Sequence, residues 1–246
     1  STKAKNDNDT TQKTDQDASG KGGCGCADPT TVQTAKQSAD NDQAALAASS
    51  AKQDGASNVN LPIRVGSKGD NGSVSQSNSV SSEAEAKNDN DTHQSVDQDA
   101  GSKDGHGCGC DSTGIQTATQ KADSEQAALS LSAAKQEHAK NDNAPIRVGS
   151  KGDDGRVSQS NDVSSEAEAK NDNDTKQDID QDIHGASGTG IQVGYQSAAN
   201  LQLAGAASAA VQKGASNDNA PVRVKSKGDG GSVSQSNDVS SEAESK

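Results

Sequence analysis

Residues 157–183 read VSQSNDVSSEAEAKNDNDTKQDIDQDI, and the parity of this stretch decides the fold. Every second residue is neutral: Val157, Gln159, Asn161, Val163, Ser165, Ala167, Ala169, Asn171, Asn173, Thr175, Gln177, Ile179, Gln181 and Ile183. The alternate positions from Arg156 to Asp182 hold eleven charges, ten of them within the stretch. A helix would scatter those charges around its circumference, whereas a strand places them on one face. The stretch, arm A, is therefore expected to be β. At the rise of an extended chain it would span roughly 90 Å, so corners or bends are expected within it.

Working outward, the string KNDNDT begins at Lys5, Lys87 and Lys170, and PIRVGSKGD at Pro62 and Pro145 returns as PVRVKSKGD at Pro221. Between them lies a Gln-rich segment, arm B: VQTAKQSADNDQAAL from Val32, IQTATQKADSEQAAL from Ile115 and IQVGYQSAANLQLAG from Ile191. Arm B has the same parity. Gln33, Ala35, Gln37, Ala39, Asn41, Gln43, Ala45 and Ala47 alternate with a face carrying Lys36, Asp40, Asp42, Lys52 and Asp54. Ala, Leu, Gln and Lys are good helix formers, which makes a helix the rival reading of arm B, but helical periodicity does not account for the parity. The charged face has an apolar middle at Ala127, Leu129, Leu131 and Ala133, so arm B is expected to bury both sides there. Such self-similarity marks a repeat architecture. The chain divides into units 1–86, 87–169 and 170–246, a continuous stack of β-solenoid type or of amyloid-like sheets. Gly- and Asp-rich turns such as GSKGDDG and the GCGC loops separate the arms.

The composition excludes an ordinary globular core. Phe, Trp and Met are absent, Tyr195 is the sole aromatic residue, and the net charge is −13. Cohesion is then expected from backbone hydrogen bonding and small, closely packed side chains. In-register rungs lie ~4.8 Å apart, a spacing at which Gln and Asn amides bond to their copies above and below. Gln159, Asn161, Asn171, Asn173, Gln177 and Gln181 are the candidate ladder residues of arm A. The acidic balance leaves no basic patch for nucleic acid, and no apolar stretch approaches the length of a membrane span. A chain that opens at Ser1 and contains no Met suggests a processed, exported product.

Alternating Gln, Asn, Ala and Ser, as in VSQSNDVSSEAEAKNDND from Val157, resembles the curlins, the secreted subunits of bacterial amyloid-type surface fibres. It also resembles other Ala/Gln/Asn-rich repeat proteins that bacteria secrete. The resemblance lies in residue usage across both arms and implies an extracellular structural role.

Catalytic chemistry finds no constellation. His93, His106, His138 and His184 occupy non-equivalent positions without an evident nucleophile, so no enzyme activity is expected. No resident cofactor is expected either, although the oxygen-rich aspartate faces are of the kind calcium accepts. Cys24 and Cys26 correspond to Cys108 and Cys110. A metal site with His106 is one reading. Disulfides between stacked loops, Cys24 to Cys108 and Cys26 to Cys110 or the crossed pairing, are favoured in a secreted chain.

Arm A is complete at 74–100 and 157–183, and a third copy is divided between the two ends. Val233, Gln235, Asn237 and Val239 carry its first half, and Asn6, Asn8, Gln12 and Gln16 its second. Completion between neighbours would generate a head-to-tail homopolymer; a monomeric solenoid displaying its charged face to an ion or a polysaccharide is the alternative. The parity itself gives the first test. Asn171→Lys should destabilise the protein strongly in chemical denaturation, because it puts a charge in a water-poor layer, while Asp172→Lys should be mild. Equal losses would rule out a two-faced strand.

Overall fold

The computed structural model describes residues 1–19, 30–101, 113–184 and 189–246. It is built from strands alone: β1 (Thr2–Ser19), β2 (Thr30–Asp54), β3 (Ser57–Asn60), β4 (Ile63–Val65), β5 (Val74–Gly101), β6 (Thr113–Glu137), β7 (Lys140–Asn143), β8 (Ile146–Val148), β9 (Arg156–His184), β10 (Thr189–Lys213), β11 (Ser216–Asn219), β12 (Val222–Val224) and β13 (Ser232–Ser245). They stack as four parallel sheets in the orders β1-β5-β9-β13, β10-β6-β2, β11-β7-β3 and β12-β8-β4. One turn of the coil runs along arm A, back along arm B, through two short strands and a glycine turn, and up into the next rung. Each residue pairs with its own repeat equivalent, as in Asn6–Asn88–Asn171 and Gln33–Gln116–Gln192. The fold is thus all-β and solenoid-like, and arm B is strand, not helix.

Two sequence expectations are corrected. Arm A contains no corner: β5 and β9 are each one uninterrupted strand. Neither contains a proline to break the ladder, and the segregated charge keeps one face wet along the whole length. Arm B does not bury both faces. Leu129 and Leu131 point outward and are 44% and 42% exposed, because the facing arm A sheet covers only the other side.

The arms pack face to face through their neutral parity. Ala45, Ala47, Ala84, Ala86, Ala128 and Ala169 form one buried cluster; Ala35, Val96 and Ala118 form a second, and Val80, Ala134 and Val163 a third. Side chains this small bring the backbones close enough for hydroxyls to bond across the gap, as Ser82 Oγ does to Ser49 Oγ at 2.9 Å and Ser165 Oγ to Ser132 Oγ at 2.9 Å.

Corners are placed by backbone chemistry. Pro62 and Pro145 lack the N–H that would continue the ladder and so separate the two short strands of their rungs, while their carbonyls still accept from Ile146 and Val222 at 2.8 Å. The bend that ends arm B needs a left-handed residue: Gly55 (φ 67°) and Gly214 (φ 63°) supply it in rungs one and three, and His138 (φ 55°) occupies it in rung two. The His138 ring bonds Asp54 at 3.3 Å, and that bond holds the Asp54 carboxyl below its ordinary range. In the long turn the rungs approach so closely that a Cβ on Gly155 would lie 1.8 Å from the Gly72 carbonyl oxygen. His138→Gly should therefore raise stability by about 1 kcal/mol through relief of left-handed strain, since the Asp54 contact it removes is solvent-exposed. Gly155→Ala should lower stability by more than that. Thermal unfolding followed by circular dichroism reads both, and shifts of the same sign would contradict this turn geometry.

Candidate assembly site: amide ladders and open coil ends

Neutral-face amides such as Asn88 and Gln94 make two kinds of bond. Along the coil axis each bonds its equivalent in the adjacent rung. Asn6 Nδ2 donates to Asn88 Oδ1 at 3.0 Å and Asn88 Nδ2 to Asn171 Oδ1 at 2.9 Å; Asn8, Asn90 and Asn173 repeat the pattern at 2.9 and 2.6 Å. Across the gap the amide donates to a backbone carbonyl of the facing sheet, as Asn88 does to Ala127 and Gln94 to Lys121. Ladder and inter-sheet clamp are the same side chain, so buried amides such as Gln94, Gln98, Gln116 and Gln120, all 0% exposed, carry no desolvation penalty for an unmade bond.

The ladders have a direction. Asparagines donate from rung one toward rung three, as in Asn78 to Asn161 to Asn237 and Asn58 to Asn141 to Asn217. Glutamines donate the opposite way, as in Gln235 to Gln159 to Gln76, Gln177 to Gln94 to Gln12, and Gln181 to Gln98 to Gln16. The third-rung edge therefore presents glutamine oxygens as acceptors, and the first-rung edge presents asparagine oxygens. Among the described residues, no donor reaches Oε1 of Gln177, Gln181, Gln192 or Gln235.

The expected site residues sort accordingly. Gln159 and Asn161 are buried in the middle of their ladders, and Asn171 is buried at the third-rung end of its own. Asn173, Gln177 and Gln181 are half-buried on the part of β9 that β13 leaves uncovered. Asn6, Asn8, Gln12 and Gln16 are half-buried in β1, and Val233, Gln235, Asn237 and Val239 lie exposed in β13. The structure does not join these two groups within the chain. β1 covers Ala84–Gly101 of β5, whereas β13 covers Arg156–Ala169 of β9. Each end of the coil is therefore a step, not a flat edge, with Val74–Glu83 open below and Asn171–His184 open above. Cys24, Cys26, Cys108, Cys110 and His106 lie outside the described residues.

The outer face of arm A carries aspartate in vertical columns: Asp7–Asp89–Asp172, Asp9–Asp91–Asp174, Asp15–Asp97–Asp180 and Asp17–Asp99–Asp182. Lysines answer some of them along the strand, as Lys5 does Asp7 at 2.7 Å, an exposed hydrogen bond that raises the Lys5 pKa.

An arginine column in the glycine turn escaped the sequence reading. The Arg147 guanidinium is buried, donating to the carbonyls of Gly152 and, at 3.1 Å, Gly69. Arg64 and Arg223 stack below and above it. Asp154, 5% exposed, is the only carboxylate at its level of the turn, where rungs one and three have Asn71 and Gly230. It accepts from Arg223 Nε at 2.6 Å and Asn71 at 2.8 Å and lies 3.3 Å from Arg147 Nη1. An arginine held between two β-branched aliphatic residues in each copy of the marker string was the available signal. The short strand turns it inward and its aliphatic neighbours outward: Ile63 and Val65 are 68% and 70% exposed.

No protein-family model matches the chain, and no curated protein or solved structure shows significant similarity to it.

Asp154→Ala should cost about 3–5 kcal/mol, the usual consequence of stripping a buried charge of its partner, while Asp238→Ala on the exposed face of β13 should be within about 0.5 kcal/mol of wild type. Urea denaturation measures both. A small loss at Asp154 would mean that the turn carbonyls alone sustain the arginine stack.

Proposed function

We propose that this chain is a non-catalytic structural subunit of a secreted, extracellular filament that grows head to tail by β-strand stacking. The observation that carries this reading is the complementarity of the two coil ends. The acceptor oxygens of Gln177, Gln181, Gln192 and Gln235 face away from the third rung, and glutamine amides of a first rung donate in the matching direction. Top-to-top contact would instead set glutamine oxygens against one another, so growth has one polarity. The steps match as well: a neighbouring copy's 6–19 is equivalent in register to 88–101 and 171–184, the second being the uncovered stretch of β9. Its opening residues and this chain's 242–246 compete for one position, so the incoming copy must release the first few residues of β1. Such a contact is heterologous and does not close on itself, and it satisfies the backbone groups of edge strands that otherwise invite uncontrolled pairing.

The four aspartate columns favour a second reading, a monomeric solenoid that displays two pairs of carboxylate columns, each pair ~4.8 Å by ~6.8 Å in spacing, to a mineral, an ion or a polysaccharide. Electron microscopy separates the two. Long fibres with a cross-β repeat support the filament, and discrete coils of one chain support the display protein.

Deleting residues 1–18 should leave a β-rich protein by circular dichroism that remains monomeric or forms short oligomers, and a peptide of residues 1–18 should arrest growing ends of the intact protein. Fibres from the truncated chain that form as fast and grow as long as those of the full chain would reject the split-arm mechanism.

A further inference from the structure

The outward face of arm B differs from every other long face of the coil. At its centre lie Leu46, Leu129, Leu131 and Leu203, all exposed, with only alanine, serine and glycine between them. Leu131 stands between Ala48 below and Ala207 above, and these small neighbours leave a shallow hollow beside it, toward Ala133. Charge flanks this patch with opposite sign at its two borders. Toward the start of the strand lie Asp42 and Glu125, and toward its end Lys52 and Lys135, each five residues from the central column Ala47–Ser130–Ala206. In the third rung the same two positions are Leu201 and Val211, 63% and 47% exposed, so where charge disappears from one border it disappears from the other.

We infer that this face is a lateral pairing surface for a second copy of the chain, related by a two-fold axis that runs parallel to the coil axis over the Ala47–Ser130–Ala206 column. Such an axis reverses position along the strand and keeps the rung level. It brings Asp42 opposite Lys52 of the second copy, Glu125 opposite Lys135, and Leu201 opposite Val211, while Leu129 meets Leu131 in the centre. A two-fold perpendicular to the coil axis would set the lysine of rung one against the valine of rung three and lose this match. Residues two further out are acidic on both sides, Asp40 with Asp54 and Asp123 with Glu137. In rungs one and two, like charges there end the contact and confine it to a zone eleven residues wide, from Asp42 to Lys52.

Within the pair the charges set register more than affinity, because pairs at a wet rim contribute little. Lys135 already bonds Glu137, holding its carboxyl below the ordinary range, and would share its ammonium with the second copy's Glu125. The contact zone measures about 34 Å by about 14 Å, hence ~950 Å² over both copies. This falls short of the ~1,000 Å² of a stable pair of separate proteins, so pairing of single coils is weak and strengthens with each copy added along the axis. The inference deepens the filament reading, in which two coils would run side by side, but its geometry rests on one coil alone.

Photo-crosslinking tests it. The 246-residue chain carrying benzoylphenylalanine at 129 is mixed with isotope-labelled wild-type chain, irradiated, and digested for mass spectrometry. The expected adduct joins position 129 to the labelled segment around Leu131. The double substitution Asp42→Lys with Glu125→Lys should cut its yield at least tenfold, and adding Lys52→Asp with Lys135→Glu should restore it to within threefold. Absence of the adduct, attachment elsewhere, or a yield unmoved by charge reversal overturns the inference. Microscopy of the same samples keeps the two readings apart. Fibres without the adduct overturn lateral pairing alone, and the adduct without fibres overturns axial growth alone.

Discussion

In-register parallel stacking places every side chain ~4.8 Å from its own counterpart, and the rest of the molecule follows from that constraint. A side chain that dislikes its own kind at that distance is tolerated only in water; one that can bond to its own kind is rewarded when buried. Amides qualify because each carries a donor and an acceptor on the same group. Alanine and serine qualify because they fill the remaining space while leaving the sheets close enough for each amide to reach the opposite backbone. The core therefore holds Gln94, Gln98 and Asn88 at zero exposure beside alanine, with no aromatic residue among them.

The same constraint works against the charges. Two carboxylates ~4.8 Å apart in water repel by about 0.9 kcal/mol, and the outer face of arm A stacks them three high in four columns. These repulsions are affordable because water screens them, and they discourage that face from adhering to another sheet. Where a charge is taken inside, as in the arginine column, the rungs do not repeat faithfully: Asn71 and Gly230 flank Asp154, so a single carboxylate and a set of turn carbonyls serve three guanidinium groups. The arginine repeats in every rung, and the buried carboxylate, which would repel its own copies, does not.

Parity made the strands, the two faces and the ladder residues legible, because charge was confined to one side without exception from Arg156 to Asp182. It failed where charge was absent. Leu129 and Leu131 sit on the charged parity but look like core, and only the number of layers, which parity does not encode, decides that they face out. Length alone suggests bends in arm A, but nothing in a period of two sets an upper limit on a strand. Arg147 was hidden by the opposite bias, since an arginine between Ile and Val is read as the exposed residue of the three. The His138 corner could have been read from Gly55 and Gly214 at the equivalent position in the neighbouring repeats, a signal obscured by the absence of glycine in the middle copy.

Every sheet contact joins residues 76 to 83 positions apart. Among the described residues no strand pairs with one nearby in sequence, so the first pair of rungs must close a very long loop before any ladder bond forms, at a loop-closure entropy that ordinary hairpins avoid. Once one rung is in place, the next is laid down on a finished surface that already specifies its register residue by residue. In the proposed filament, folding of the third repeat on the second and docking of another copy on the third would be the same reaction, differing only in whether the incoming strand is tethered. Such a filament would be slow to start and quick to continue, and a preformed fragment of the coil would act on it as a seed crystal acts on a supersaturated solution.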